Sequence, residues 1–319
     1  MTDGFKPMDL EGLKTYSLAE RKSKVSASDF ASPWEAGGSF REFLERLPRI
    51  LAGEDVREVI SSIANARREQ KTVLMAMGAH VIKVGLNPVV IDLMHRGIIT
   101  GIAMNGAGII HDLEVAITGQ TSEDVSAALG DGSFGMAKET GNYLNEAIRL
   151  TRDRSLGLGE AVGRKIIDED FSLKGNSILA TGVELGIPVT VHVAIGTDII
   201  HMHPEFDAEA AGGATHRDFR IFSTMVSTLE KGVYLNVGSA VILPEVFLKA
   251  LSVVRNLGHP VHRFTAVNLD FIRHYRPMTN VVHRPTTEGG KGLSLVGHHE
   301  LLLPIIAAGV LEELGQVDF

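Results

Sequence analysis

Apolar positions in residues 71–120 recur with two alternating periods, and this pattern predicts the centre of the fold. Continuous apolar runs at residues 73–77 and 98–104 are typical of strands buried on both faces. Each run ends in a small-residue loop, and apolar residues at helical spacing follow. The pattern of strand, glycine loop and helix thus occurs twice. Because a helical crossover joins the two strands, we expect them to lie parallel.

Further strands are predicted at residues 187–195, 233–237 and 261–267, with helices between them. Segments 155–163, 201–218 and 268–300 are predicted to be loops; the first contains three glycines but follows charged residues rather than a strand. Five strands that alternate with helices indicate an α/β fold with a doubly wound, mostly parallel sheet. Amphipathic patterns at residues 39–51 and 54–68 predict an N-terminal helical extension, which divides the chain into residues 1–70 and 71–319.

Both glycine loops should open at the carboxyl ends of their strands, the edge at which open α/β sheets bind ligands. Loop N–H groups and helix N-termini at that edge favour anionic groups such as a pyrophosphate. The pattern therefore suggests part of a nucleotide site. An alternative remains that the glycines only turn the chain.

Composition narrows the class of protein. A net charge of −8 and the absence of cysteine argue against a nucleic-acid or anionic-membrane partner and exclude disulfides and thiolate nucleophiles. Neither a signal-peptide core nor a bilayer-spanning run is present in the sequence, which predicts a cytoplasmic protein. The sequence also lacks a serine nucleophile elbow and a phosphate-binding Gly-Lys-Ser/Thr loop, which argues against acyl transfer and ATP hydrolysis.

Histidine and carboxylate side chains are concentrated in residues 198–218. His201 and His203 alternate as they would on one face of an extended segment, beside Asp198. Such groups are able to ligate a divalent metal, but no helix-borne histidine pair with a diagnostic third ligand is present in the sequence. We therefore predict no metal site and interpret the segment as the polar lining of a ligand cleft.

Several segments together resemble the deoxyhypusine synthase family. The likeness is carried by GAHVIKVGLNPVVIDLMHRGIITGIAMNGAGIIHDLE, IPVTVHVAIGTDIIHMH, GVYLNVGSAVILPEVFLKAL and HHELLLPIIAAGVLEE, and it covers about residues 72–313. The run around His111-Asp112 is also similar to one in the NAD-binding domain of archaeal ornithine cyclodeaminase. The resemblance implies a doubly wound NAD-binding domain, a homotetramer arranged as a dimer of dimers, and an amine such as spermidine as substrate.

The resemblance also implies a set of cofactor contacts. By position, NAD would touch Gly78, Ala79, His80, Asn105, Gly106, Ala107, His111, Asp112, Asp198, His298 and His299. The presence of a carboxylate at position 112 has an equally good structural explanation, because a carboxylate interacts favourably with a helix N-terminus. His298 and His299 stand where the family has an Asp-Ala pair, although ribose recognition ordinarily uses a carboxylate.

The chain departs from the family at its catalytic lysine, which carries the aminobutyl group as an imine. The family's Trp-Gly-Lys falls near His283, and the nearest lysine, Lys291, is out of register. Our hypothesis is an NAD-dependent enzyme that acts on a small amine or amino acid without making deoxyhypusine. Its catalytic candidates are His283, His201 and Lys291, with His80 and His111 as further possible bases. The alternatives are genuine deoxyhypusine or homospermidine synthesis and a non-catalytic nucleotide-binding protein.

Overall fold

Six parallel strands form one sheet in residues 4–315, the part of the chain that our computed structural model describes. The strand order is β3-β2-β1-β4-β5-β6, and every neighbouring pair is parallel. This order reverses between β1 and β4, as in doubly wound dinucleotide-binding sheets. The predicted α/β, doubly wound architecture is confirmed, with all of the observed pairs parallel. Residues 1–3 of the predicted range 1–70 and residues 316–319 of the predicted range 71–319 lie outside the described residues.

The elements follow one another along the chain with short connections. The strands are β1 Val73–Met77, β2 Gly101–Asn105, β3 Val189–His192, β4 Val233–Val237, β5 Thr265–Asp270 and β6 Lys291–Val296. The α-helices are α1 Phe40–Arg46, α2 Leu51–Arg68, α3 His80–Lys83, α4 Asn87–His95, α5 Gly106–Thr118, α6 Val125–Ala128, α7 Lys138–Arg154, α8 Leu158–Asp168, α9 Ile178–Leu185, α10 Ala208–Ser227, α11 Ile242–Asn256, α12 Tyr275–Pro277 and α13 His299–Leu314. Single turns of 3-10 helix lie at Leu18–Glu20, Ala27–Asp29, Lys174–Asn176, Ile199–Met202 and Arg284–Thr286, and a π-helical turn lies at Met278–His283.

Helices cover both faces of the sheet. Met75, Leu235 and Val267 face the larger apolar cluster, which α2, α4, α5, α8, α9 and α13 complete. Tyr234 and Ala266 face the second cluster, which α10 and α11 complete. Because β1, β2 and β4 are buried on both faces, their sequences are continuous apolar runs, and those runs predicted them.

The N-terminal helices belong to the same apolar packing as the sheet. Ile60 and Ile63 of α2 are buried with Val310 of α13 in the larger cluster. Gly309 lets α13 approach closely, since a Cβ there would lie 2.4 Å from the Ile60 side chain. Within residues 4–315, no helix combines the length and the hydropathy that a bilayer crossing requires.

The sixth strand was missed because residues 268–300 were predicted to be a loop. Lys291–Val296 forms the sheet edge, and most of its residues are exposed or half-buried. Such a strand lacks the continuous apolar run that marks a central strand. The predicted fifth strand was also placed too early, since β5 begins at Thr265.

The prediction of a loop at residues 155–163 is wrong, because most of this glycine-rich segment belongs to the helix Leu158–Asp168. Its N-terminus is closed by a carboxylate of this chain: Asp218 accepts hydrogen bonds from the Gly159 N–H at 2.9 Å and the Val191 N–H at 2.8 Å. A Cβ at Gly157 would lie 1.9 Å from Asp218 Oδ1. The glycines therefore make room for a buried carboxylate where a phosphate would otherwise bind.

Asp218 should make stability depend on pH. Burial raises its pKa to about 7, so the folded chain holds a proton there that the unfolded chain releases near its ordinary value of about 3.9. Since the folded state binds more protons between these values, the contribution of Asp218 to stability falls as pH rises from about 4 to 7. Asp218→Asn keeps an oxygen for both N–H groups and should remove this loss, which chemical denaturation at several pH values would measure. Equal pH dependence of the two proteins would contradict it.

The predicted loop at 201–218 is shorter than expected, because α10 begins at Ala208, with Asp207 as its N-cap. His201 lies in the 3-10 turn Ile199–Met202, so it does not share the face of an extended segment with His203. The His203 ring packs against Gly141 of α7, and its Nε2 lies 2.9 Å from the Gly135 carbonyl oxygen. Among residues 4–315, no three His, Cys, Asp or Glu side chains are grouped so that they could hold a metal ion.

Candidate functional site

Two glycines lie side by side where the strand order reverses. Gly78 follows β1 and donates its N–H to the Val237 carbonyl at 2.9 Å. A Cβ at Gly78 would lie 2.2 Å from the Gly238 carbonyl oxygen, so only glycine fits. Gly238 has φ of 66°, and a Cβ there would lie 2.8 Å from the His299 ring. The carboxyl ends of β1 and β4 thus present bare backbone at the switch point, the place at which open α/β sheets take ligands.

An aromatic cluster adjoins these glycines. The ring of His299 lies 5.5 Å from that of His80 and 5.4 Å from that of Phe271, and Phe271 stacks on His298 at 6.2 Å. Burial, followed by the neighbouring His299, lowers the pKa of His80, which favours a neutral imidazole at neutral pH. The structure therefore brings three of the predicted residues, His80, His298 and His299, together at the carboxyl edge.

His299 carries a polar atom that no described residue satisfies. The side chain is fully buried, and its Nε2 lies 3.1 Å from the Leu269 carbonyl oxygen, which can only accept a hydrogen bond. The ring proton therefore lies on Nε2, and Nδ1 is a buried acceptor without a partner in residues 4–315. A buried acceptor of this kind is costly unless a donor reaches it.

Asp270 ends β5 beside this cluster, and its side chain is 6% exposed. Its carboxylate accepts the Phe271 N–H at 2.8 Å and lies 3.9 Å from the His274 ring, and no lysine or arginine of the described residues pairs with it. Asn236 of β4 lies opposite Asn268 of β5 and donates to its Oδ1 at 2.8 Å. The Oδ1 atom of Asn236 is buried and has no partner among the described residues. Buried carboxylates are rarely left without a close cation or several donors.

The β2 end of the edge is built around Gly106, the first residue of α5. Asn105 caps this helix by accepting the Gly108 N–H at 3.2 Å. The carboxylate of Asp198 lies against Gly106, where a Cβ would meet Asp198 Oδ2 at 2.1 Å. Burial raises the pKa of Asp198, while His201 opposes that shift. The structure therefore brings together Asn105, Gly106, Ala107 and Asp198, four of the residues for which the sequence predicts contact with NAD.

His201 has its Nδ1 occupied by backbone. It accepts the Gly196 N–H at 3.1 Å and the Asp198 N–H at 3.3 Å, so the ring proton lies on Nε2. That nitrogen is buried and has no partner among the described residues. His201 thus holds the loop that positions Asp198, and neither nitrogen is presented as a base.

Two of the predicted cofactor residues lie below the edge, on the second turn of α5. The carboxylate of Asp112 is fully buried and accepts hydrogen bonds from Ser177, Asn87 and the first N–H groups of α9. Asp112 therefore caps α9. Interaction with a helix N-terminus is the alternative explanation that the sequence offers for this carboxylate, and the N-terminus that it contacts is that of a helix distant in sequence. His111 Nδ1 lies 2.6 Å from Thr121 Oγ1, and burial lowers the pKa of this histidine to about 4.

The two remaining catalytic candidates lie at the opposite, amino edge of the sheet. Lys291 is the first residue of β6, and its ammonium group pairs with Glu58 at 2.5 Å. His283 ends the π-helical turn and is exposed; the preceding Val282 carbonyl packs against Gly292, at the same end of β6. The structure therefore does not bring Lys291 or His283 to the glycine loops.

Sequence reasoning did not select Asp270, Phe271 or Gly238 as site residues. Their common signal was position at the carboxyl end of a central strand, since Asp270 ends β5, Phe271 follows it and Gly238 follows β4. With the end of β5 predicted three residues too early, Asp270 fell just beyond the predicted strand, at the start of the segment predicted to be a loop. Pairing of β5 with β4 in the observed register places Gly238 beside Asp270.

Comparison with protein-family models and with curated proteins found no match. Solved structures do match. The apo structure of ArgZ, a cyanobacterial arginine dihydrolase, aligns with a TM-score of 0.52 and 16% identity over 82% of this chain and 33% of ArgZ. The ternary complex of AgrE with ornithine and NAD+ aligns with a TM-score of 0.53 and 15% identity over 84% of this chain and 35% of AgrE. This chain thus spans about a third of the length of ArgZ and AgrE.

A candidate deoxyhypusine synthase from Entamoeba histolytica also matches, with a TM-score of 0.52 and 12% identity over 88% of this chain and 95% of the other. At identities this low, the likeness concerns the backbone arrangement. The chain has the α/β fold that occurs in ArgZ, AgrE and the Entamoeba protein.

Proposed function

We propose that the carboxyl edge of this sheet binds NAD and that the protein is an NAD-dependent enzyme acting on a small amine or amino acid. The observation that carries the proposal is the close contact of the Gly78 and Gly238 backbones at the switch point, because it leaves the carboxyl ends of β1 and β4 without side chains at the place where open α/β sheets take dinucleotides. AgrE, which has the same fold, is known in complex with ornithine and NAD+.

The residues at this edge fit a dinucleotide in three ways. The N-terminus of α5 offers N–H groups beside the Asn105 cap and the Asp198 carboxylate, and the dipole of this 13-residue helix favours a pyrophosphate there. The carboxylate of Asp198, beside Gly106, is able to accept hydrogen bonds from ribose hydroxyls. His299 Nδ1 offers a buried acceptor to an amide or hydroxyl donor. When bound, NAD supplies a hydride acceptor.

The substrate amine would sit against Asp270. This carboxylate is buried and lacks a close cation among the described residues, so a substrate ammonium group would complete its charge balance. His80, kept neutral by its lowered pKa, would take the proton from the amine or from a hydroxyl on the reacting carbon. Phe271, which is 44% exposed, would shield that carbon from water.

Aminobutyl transfer through Lys291 is not favoured by this geometry. An imine-forming lysine must lose its proton and reach the reacting carbon. Lys291 lies at the other edge of the sheet, in an ion pair with Glu58. We therefore propose chemistry without a covalent lysine adduct.

Self-association is part of the same proposal. Ile272 and Tyr275, directly beyond β5, are 55% and 74% exposed, and Val241 and Val296 at the same edge are about half exposed. A second copy that covers these side chains would exclude water from the site and agree with the dimer of dimers that the family resemblance implies.

Substitution of Asp198 tests the cofactor directly. Asp198→Asn keeps the size of the side chain but loses the charge, so we expect NAD affinity to fall about tenfold or more, the cost of a charge-assisted hydrogen bond. Binding of NADP should suffer less, because the carboxylate no longer repels a 2′-phosphate. Calorimetric titration of both dinucleotides would measure the ratio. Unchanged NAD affinity would argue against a ribose contact at Asp198.

A further inference from the structure

A second cavity lies away from the carboxyl edge, on the α10 and α11 side of the sheet. It is a groove of about 630 Å³ between the C-terminal half of α10 and the last turns of α11, and residues 155–160 close one end. Val254 and Leu257 in its wall precede β5, so the groove lies towards the amino edge. Its volume is within the range of small-molecule sites.

The α10 wall is cationic although the chain is acidic overall. Arg217 and Arg220 lie one helical turn apart and face the groove, and neither guanidinium group makes a hydrogen bond or an ion pair with any residue that the structure describes. Two like charges at this spacing repel each other unless an anion lies between them. His259 adds a third basic side chain at the α11 end.

The acidic residues near the groove are already engaged. Glu160 Oε1 accepts hydrogen bonds from Arg164 at 2.8 and 3.0 Å. Asp218 points inward to the N-terminus of α8, and burial raises its pKa to about 7. Neither carboxylate pairs with Arg217 or Arg220, so the two guanidinium groups remain available to an anion from outside.

The α11 wall is apolar and faces the arginines. Val253, Val254 and Leu257 form it, and Leu257 is 71% exposed. Phe219 lies between the two arginines along α10. One side of the groove therefore suits an apolar or aromatic body and the other a group that accepts the paired donors of arginine.

We infer that this groove binds a small anionic ligand whose phosphate or carboxylate pairs with Arg217 and Arg220 and whose apolar body lies on α11. The groove contains no residue of the carboxyl edge, so an experiment that refutes anion binding in the groove would leave the NAD proposal unaffected, and the reverse also holds. A ligand there would contact α10 and α11, both of which pack on the sheet beneath that edge.

Three probes with one aromatic body test the inference by calorimetry on the full chain. Phenyl phosphate and phenylacetate carry the two candidate anions, and benzyl alcohol carries no charge. We expect at least one anion to bind saturably and Arg220→Ala or Arg217→Ala to weaken it at least tenfold. Arg49→Ala is the matched control, because Arg49 is exposed on a loop and its side chain also lacks a partner among the described residues.

The pattern of binding identifies the source of the anion. Binding of phenyl phosphate alone indicates a phosphorylated ligand, and binding of phenylacetate alone indicates a carboxylic acid; both outcomes support the inference. It is overturned if neither anion binds, if benzyl alcohol binds as tightly as the anions, or if Arg49→Ala weakens binding as much as the groove variants. Circular dichroism of each exposed-site variant confirms that it is folded.

Discussion

Replacing Gly78 with alanine should weaken dinucleotide binding and destabilise the fold. The new Cβ would lie 2.2 Å from the Gly238 carbonyl oxygen, and both positions are backbone between paired strands, so β1 and β4 must separate. Overpacking of this kind costs about 1–3 kcal/mol of unfolding free energy. The displaced edge should also lower NAD affinity by about tenfold or more. Chemical denaturation and calorimetry measure the two effects.

A second glycine provides the control for this experiment. Gly212 lies within α10, where a Cβ would meet no atom within 4 Å. Gly212→Ala should stabilise the protein by up to about 1 kcal/mol through helix propensity and leave NAD binding unchanged. If Gly78→Ala behaves like Gly212→Ala in both assays, the switch point is not a close-packed cofactor site.

Substitution of Asp270 should have the largest effect on turnover. Asp270→Asn keeps the acceptor for the Phe271 N–H but removes the charge that would hold a substrate ammonium group. Loss of such a charge-assisted bond costs about 1.5–3 kcal/mol, which corresponds to about a 10- to 150-fold fall in kcat/KM. NAD affinity should change by less than about threefold. NADH formation from L-ornithine and from spermidine provides the assay.

Asp170→Asn serves as the matched variant, because Asp170 is exposed and pairs with Lys174 on the surface. It should retain wild-type kcat/KM. Equal turnover by Asp270→Asn and wild-type protein would remove Asp270 from the substrate site. Turnover of neither amine by wild-type protein, with NAD bound, would instead exclude both substrates and leave the cofactor proposal intact.

The central strands and their loops could be predicted because burial of a strand on both faces requires apolar residues that are adjacent in sequence. Residues 73–77 and 233–237 are apolar at every or nearly every position, since helices cover both faces of the sheet. The glycines that end them are required by a close backbone contact at Gly78 and by a positive φ and the His299 ring at Gly238. For these reasons the sequence predicts that the glycine loops open at one carboxyl edge, where Gly78, Gly106 and His80 lie; their role in cofactor binding stays a prediction.

The remaining features depend on contacts that are distant in sequence. Asp218 closes the N-terminus of α8 from 59 residues away, and Asp112 caps α9 from 66 residues away. No local pattern distinguishes these carboxylates from cofactor ligands. The edge strand β6 was missed for a different reason, because its residues are mostly exposed and form no continuous apolar run. Without this strand, the position of Lys291 and His283 at the amino edge could not be predicted.

Native mass spectrometry of the full chain after incubation with NAD tests the central claim most directly. The account predicts a mass increment of one NAD for each chain, within an oligomer whose own mass is read in the same spectrum. Its loss in Gly78→Ala and retention in Gly212→Ala would place the cofactor at the switch point. Folded wild-type protein that shows no increment at saturating NAD would contradict the account.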